Sequence, residues 1–305
     1  MSAKFIIGID LGGTNLKAGL FDNNCIIKGK IVLGTKKFGN KKNLISAIIF
    51  AIERLIKDNN LSKKQILGIG IGVPGPTNYQ KGIVHFLPNI PGWREVKLKS
   101  ILEKKLNLPV SVDNDAKVMT LAEYKFGDAR NFKNVLCLTL GTGVGGGIII
   151  AGSLYRGQDN AAGEIGHLPL NEEGPRCNCG GIACLEAYIG NGRIFKLSRI
   201  KFHKNISLEE LSRLASKGNK ASCAVWSLVG RHLGVALSGL VTVLNLDAII
   251  IGGGVAGAGK ILFDEIKDTI RRRSMSVQAA RVKIFKAKLA NDAGIIGAAI
   301  LVKEG

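Results

Sequence analysis

Two stretches of this chain share one shape. Phe5 to Leu20 reads FIIGIDLGGTNLKAGL, and Val135 to Ile150 reads VLCLTLGTGVGGGIII. In each, a short apolar strand ends in one polar residue, Asp10 or Thr139. A Gly-rich turn follows, and then a second apolar or alternating run. Setting Asp10 on Thr139 places Gly12 on Gly141, so one β-hairpin occurs twice. Such a repeat constrains the fold more than any local signal does. It predicts two related α/β domains, each opened by its own hairpin.

The other elements fit that plan. Residues 43–57 have helical apolar spacing, and 66–73 alternate Gly with Ile or Val before the turn PGP. A short strand is expected at 110–112, then a helix at 115–126 with Asp115 as its capping residue. Ser207, three residues before Glu210, marks a capping box for a helix over 207–215. A long apolar helix lies within 221–245, and a buried strand at 248–251 ends in Gly252-Gly253-Gly254. Strands alternating with helices predict mostly parallel, helix-covered sheets. A chain of 305 residues that is 46% hydrophobic can bury a core in each of two domains.

The formal charge of +20 raises the question of a nucleic-acid or membrane-surface partner. The lysines, however, come in short pairs such as Lys36-Lys37, Lys41-Lys42, Lys63-Lys64 and Lys104-Lys105, with one run at Arg271 to Arg273. No long like-charge block and no aromatic–basic alternation accompanies them, so the charge reads as solvated surface and no nucleic-acid partner is expected. The most membrane-like stretch, GVALSGLVTVLNL, is bracketed by Arg231, His232 and Asp247. It falls short of the roughly 20 apolar residues of a span and reads as a buried helix, so no membrane partner is expected. No secretory pattern follows Met1, which predicts a cytoplasmic, reducing location where clustered thiols bind metal rather than pair. Cys25, Cys137 and Cys223 lie in apolar surroundings and read as small core residues.

Five constellations carry chemistry. In D-L-G-G-T-N-L-K, Gly12 and Gly13 let backbone N–H groups approach an anion, Thr14 and Asn15 add donors, and Lys17 adds charge. Asp10 is suited to hold Mg²⁺ through water; the plainer reading is a hairpin turn. Gly141, Thr142 and Gly143 repeat the arrangement, and two facing hairpins would clamp a polyphosphate. Gly252, Gly253 and Gly254 belong to a G-x-G-x-x-G match, but the acidic residue roughly 20 positions on is missing, so a dinucleotide reading is poorly supported. A strand ending in glycines can equally pass beneath an adenine. In V-D-N-D-A, Asp115 is either a helix cap or a general base that takes a proton from a hydroxyl attacking phosphorus. Finally, His167, Cys177, Cys179 and Cys184 form a Cys₃His set suited to a closed, structural, tetrahedral Zn²⁺.

Taken in order, these features resemble the ROK family of bacterial sugar kinases, repressors and related open reading frames, over almost the whole chain. DLGGTNLKAGLFD and LTLGTGVGGGIII resemble its two phosphate motifs, VDNDA its Asn-Asp catalytic pair, GEIGHLPL with CNCGGIACLE its signature, and IIIGGGV its adenosine motif. The resemblance implies a two-domain actin-like ATPase (ribonuclease H-like) fold with ATP in an interdomain cleft. It places the domains at 1–116 plus 290–305 and at 117–289. It makes Asp115, not Asp113, the catalytic base, and Asn114, Asp115, Glu164, His167 and Glu186 the residues that reach sugar hydroxyls, with Gly75 nearby. The zinc ligands would be His167, Cys177, Cys179 and Cys184, tying a loop so that Glu164 and Glu186 point at the sugar. PNIPGW, Pro88 to Trp93, resembles a stretch common in the glucokinase branch. Ala183 stands where the family usually has glycine, so the turn before Cys184 either has negative φ or carries strain. Asp113 stands where glutamate is common.

The expected activity is therefore transfer from Mg-ATP to a hexose 6-hydroxyl, with glucose as acceptor. The alternatives are N-acetylmannosamine, fructose or a non-catalytic sugar sensor, and a homodimer is implied. Repressor members carry a DNA-binding domain ahead of the first phosphate motif, which here begins within ten residues of Met1.

Overall fold

The computed structural model describes residues 4–35, 38–87 and 90–304. Pro88 and Asn89 of PNIPGW lie outside them, as do Lys36 and Lys37. Strands β1 (Phe5–Leu11), β2 (Asn15–Asp22) and β3 (Ile27–Gly34) lead to helix α1 (Lys41–Asp58) and strand β4 (Ile66–Val73). Three short strands follow, β5 (Thr77–Asn78), β6 (Ile83–Phe86) and β7 (Arg94–Val96), then α2 (Leu98–Leu106), β8 (Val110–Asn114) and α3 (Asp115–Phe126). The next strands are β9 (Val135–Leu140), β10 (Val144–Ile150) and β11 (Ser153–Tyr155). After them come α4 (Leu185–Ile189), α5 (Asn191–Phe202), α6 (Leu208–Ser216) and α7 (Lys220–Leu244). The chain ends through β12 (Ala248–Gly252), α8 (Lys260–Arg273), α9 (Ser276–Arg281), β13 (Lys283–Lys286) and α10 (Ala293–Glu304).

The chain divides into two compact units, Met1–Phe126 with Arg156–Ala162 and Asn291–Gly305, and Gly127–Tyr155 with Gly163–Ala290. The division falls after Phe126 rather than after Ala116, because α3 is built into the first unit. Gly297 of α10 lies so close to the Val118 carbonyl that a Cβ there would stand 1.8 Å from it.

The two units repeat one sheet. The first has strand order β3-β2-β1-β4-β8 and the second β11-β10-β9-β12-β13. In both, a three-strand antiparallel meander is extended by two parallel strands. The register bears out the sequence alignment: Asp10 pairs with Gly72 on the neighbouring parallel strand, and Thr139 pairs with Gly252. The turns differ by one residue, since the first hairpin closes at Leu11–Leu16 and the second at Leu140–Val144.

The Gly alternation in β4 is a packing device. A Cβ on Gly70 would stand 1.7 Å from the Ala298 carbonyl oxygen, and one on Gly8 of β1 would stand 2.1 Å from that of Ile295. Helix α10 therefore rests directly on the backbone of β1 and β4, and its Ile295, Ala298, Ala299 and Leu301 are buried there. Gly70→Ala is expected to destabilise the chain by about 3 kcal/mol or more, because backbone cannot yield as a side chain does. Gly34 of β3 has nothing within 4 Å of the same construction. Equal shifts in the denaturation midpoint for Gly34→Ala and Gly70→Ala would refute this account.

In the second unit, Val225, Trp226, Val229, Leu233, Leu237 and Val241 form the buried stripe of α7. Among the described residues α7 is the one helix long and apolar enough to cross a membrane. Its Gly234 lies against Thr269 of α8, where a Cβ would stand 2.4 Å from the Thr269 Cβ. The expectation that the stretch falls short of a span needs correction, because the helix extends over 25 residues from Lys220 to Leu244; its buried stripe packs into the core of the unit. Asn219 caps its start by accepting from the Ser222 N–H, and Asn245 ends it in the left-handed conformation.

Candidate active site

In the first unit, register sets Asp10, Gly72 and Asp113 level across the parallel strands β1, β4 and β8. The turn after Asp10, the loop through Gly75 and the Asn114–Asp115 pair all leave from that edge, where ligands of open α/β sheets bind. Gly13 and Thr14 are exposed at the tip of the first turn. The turn is held by Gly12 N–H donating to the Asn15 carbonyl (2.8 Å) and by the Thr35 hydroxyl donating to the Gly13 carbonyl (2.8 Å). Asp10 faces Lys17 across the hairpin, and Lys17 Nζ donates to the Asn291 carbonyl (2.9 Å). Gly294 in the first turn of α10 lies against the Asp10 carboxyl, where a Cβ would stand 2.4 Å from its Cγ. Burial pushes the Asp10 carboxyl up, and Lys17 opposes the shift. A helix N-terminus, a lysine and a Gly turn make this edge receptive to anions.

The capping expectation for Asp115 needs correction. Asn114 supplies the cap: its Oδ1 accepts from the N–H groups of Ala116 (3.0 Å) and Lys117 (3.3 Å). Asp115 is the first helical residue, half-exposed, with Oδ1 accepting from the Ala116 N–H at 2.8 Å. The other end of the Asn114 amide donates to the Gly75 carbonyl (3.1 Å). Gly75 has φ +90°, a left-handed conformation that a side chain would strain, and it is this twist that lets one Asn tie the loop to the helix start. Asp113 is wholly buried and paired with Arg156, whereas Asp115 is only partly buried.

In the second unit the two remaining glycine groups come together. Gly252 sits beside Thr139, and Gly253 packs so tightly on β9 that a Cβ would stand 2.1 Å from the Leu140 carbonyl oxygen. Gly141 and Gly254, in contrast, face open space. Packing explains the glycine at 253 and leaves 141 and 254 free for a ligand to approach. Thr142 lies in the same turn, where the Asn191 N–H at the start of α5 donates to the Gly141 carbonyl (3.0 Å). Glu186 is bound into this turn: its Oε2 accepts from the Val144 N–H at 2.8 Å. Glu164 is exposed at the start of a short 3₁₀ turn over Ile165–His167.

His167, Cys177, Cys179 and Cys184 offer ligand atoms that all lie within 4.8 Å of one another. His167 Nδ1 is 3.7 Å from Cys177 Sγ, and Cys179 Sγ is 3.7 Å from Cys184 Sγ. Sulfur bonds of about 2.3 Å in a tetrahedron put ligand atoms about 3.8 Å apart, so the set fits one tetrahedral metal ion. Burial, and then the neighbouring thiols, push Cys184 up to about 12, while the Gly181 N–H holds Cys179 down. A cation among these thiols would favour their charged forms.

Of the two alternatives for Ala183, the structure takes strain: φ is +56° at a fully buried residue. The left-handed form costs an L-residue roughly 1–2 kcal/mol, partly offset in a Gly variant by the freer unfolded chain. Ala183→Gly is expected to raise stability by about 0.5 kcal/mol and to slow metal release to a chelator, where an ordinary core truncation would do the reverse. Faster metal release from the variant would count against the strain.

Sequence reasoning missed Arg156, Lys117 and the N-termini of α5 and α10 as parts of these surroundings. Their partners lie far away along the chain, and a local reading has no signal for them.

Two α/β units with the same strand order, each opened by a Gly-turned hairpin, define the class: the actin-like ATPase fold. Within that class the chain belongs to the ROK family, whose model matches residues 6–305. It is 34% identical over 319 residues to a glucokinase of Halalkalibacterium halodurans, with 100% of this chain and 96% of that protein covered. It is 32% identical to a xylose repressor of Caldicellulosiruptor bescii, with 97% of this chain and 77% of the repressor covered. Among solved structures it resembles a ROK family glucokinase from Streptomyces griseus in complex with glucose and AMPPNP. There the TM-score is 0.84 and the identity 29%, with 99% of this chain and 100% of that one covered.

Proposed function

We propose that this protein is an ATP-dependent hexose kinase acting on the sugar 6-hydroxyl, with glucose as the acceptor. One observation carries the reading. Asp115, a partly exposed residue, stands at the same sheet edge as the Asp10–Lys17 turn, while Asp113, two residues earlier, is buried and paired with Arg156. A base and a phosphate-binding turn on one edge are what in-line phosphoryl transfer requires.

In this mechanism Asp115 accepts the proton of the 6-hydroxyl as its oxygen attacks the γ-phosphorus. Gly12, Gly13, Thr14, Asn15 and Lys17 hold phosphate oxygens, and so do Gly141, Thr142 and Gly143. Gly252, Gly253 and Gly254 flank the adenosine. Asp10 would hold the Mg²⁺ that comes with ATP, and that ion would supply neutralisation of phosphate charge. Asn114, Glu164, His167 and Glu186 bind sugar hydroxyls, with Gly75 beside them. Zinc in the Cys₃His set would be structural, since four protein ligands close its coordination. With Nδ1 turned to the thiols, the other ring edge of His167 is the one offered to the sugar. The same reading takes the protein as a cytoplasmic homodimer that needs no nucleic-acid partner.

The test is ADP release with Mg-ATP over glucose, mannose, fructose, N-acetylglucosamine and N-acetylmannosamine. Turnover strongest on glucose supports the proposal. Strongest turnover on N-acetylmannosamine or fructose moves the acceptor and keeps the reaction class. Sugar binding without turnover on any would favour a non-catalytic sugar sensor.

A further inference from the structure

We propose that Arg156 is a positioning residue for the Asn114–Asp115 pair, acting through the buried carboxylate of Asp113. What that pair does rests on the hexose-kinase reading; how it is held does not. Arg156 Nε donates to Asp113 Oδ2 at 2.8 Å, and Asp113 is 0% exposed. The other oxygen, Oδ1, accepts from the backbone N–H of Asn114 (2.8 Å) and from the Thr77 hydroxyl (3.4 Å). The carboxylate therefore fixes the peptide joining Asp113 to Asn114, where β8 ends and α3 begins. Asn114 is then oriented to cap α3 and to hold the Gly75 carbonyl.

Arg156 is itself fixed. Its guanidinium lies 3.9 Å from the centroid of the Tyr79 ring, and Nη2 lies 3.6 Å from Glu304 Oε2 at the end of α10. It also opens a loop of residues 156–162 whose ends meet, with the Ala162 N–H donating to the Arg156 carbonyl (3.0 Å). A second anchor lies inside the loop. Lys117, 2% exposed on α3, donates through Nζ to the Asn160 carbonyl, and Asn160 Nδ2 donates to Gln80 Oε1 (2.7 Å). One loop thus grips the chain two residues before Asp115 and two residues after it. Removing Arg156 leaves a buried carboxylate without its counter-charge, a state the chain relieves by moving Asp113 and with it the Asn114 peptide.

The experiment uses Arg156→Gln and Arg156→Lys in the full chain, well below their unfolding midpoints. Arg156→Gln should lower kcat by about 10- to 100-fold and raise the sugar KM, since small misplacements of reacting groups cost that much. The ATP KM should stay within about twofold, because no phosphate-binding residue is touched. Arg156→Lys keeps a charge beside Asp113 but loses the stacking on Tyr79, and should recover part of the loss. Lys117→Gln, altering the second anchor, should show the same split. Hydrogen exchange reads the inference without any activity: amides in the first turn of α3 should exchange at least about tenfold faster in Arg156→Gln, with the β1–β2 hairpin unchanged. Folded Arg156→Gln with kcat within twofold of wild type and unchanged exchange at α3 overturns the proposal. Exchange raised equally throughout the unit also overturns it, since that is the mark of a merely structural pair. A wild-type chain inactive on every sugar overturns the kinase reading instead, and the exchange result still decides the positioning.

Discussion

Asp115→Asn should lower kcat by about 1,000-fold or more while leaving the fold and both KM values nearly unchanged. General-base catalysis contributes typically about 10²- to 10⁴-fold, and an amide cannot take the proton. The substitution is nearly isosteric, and the amide oxygen can still accept from the Ala116 N–H as Oδ1 does now at 2.8 Å. Because Asn114 supplies the cap of α3, the helix start does not depend on the charge at 115. Stability should therefore shift by less than about 1 kcal/mol. Single-turnover phosphotransfer with Mg-ATP and saturating sugar reads the chemical step directly. A variant with kcat within tenfold of wild type would place the base elsewhere.

If the Cys₃His set holds zinc as proposed, Cys177→Ser, or a strong chelator, should remove it and disable sugar binding before it unfolds the rest of the chain. The reason lies in what the loop lacks. Between Asn171 and Ile182 every residue but Cys177 is exposed, so no apolar core holds the segment. Its backbone is tied by a few hydrogen bonds: Cys177 N–H to the Gly181 carbonyl, Ala183 N–H to Pro175, Leu170 N–H to Ala183, and Leu185 N–H to Leu168. Each is worth about 1 kcal/mol net, whereas a structural zinc in a small peptide is worth about 10–16 kcal/mol. Metal content should fall from about one per chain to near zero, the loop should become protease-sensitive, and the sugar KM should rise by about tenfold or more. Elemental analysis with limited proteolysis checks this. A metal-free variant with wild-type sugar KM and an intact loop would separate the cluster from the sugar site.

Much of the fold could be read from local pattern. The hairpin repeat, the apolar stripe of α7 and the Ser207 cap over the Glu210 N–H each depend on neighbours a few residues apart, and the structure shows all three. The reciprocal half of the expected capping box is replaced by Arg213 donating to the Glu210 carboxylate. The Cys₃His grouping was equally visible, because thiols and an imidazole in a Gly-rich segment have few other uses. The capping at 114–115 was misread because Asp and Asn are both good caps, and only the backbone decides which one stands outside the helix. Ala183 left two conformations open for the same reason, and φ settled it at +56°.

The sequence by itself determined the pair of hairpin-led units and the residue types gathered at each turn, since strand period, turn chemistry and ligand chemistry are local properties. Tertiary structure alone decided that α10 lies on the glycines of β1 and β4, that Glu186 is bound into the second Gly turn, and that Arg156 reaches Asp113. Those contacts join residues 42 to 287 positions apart or depend on which face of a strand meets a helix backbone. No window of sequence contains both partners, so only the folded chain can bring them together.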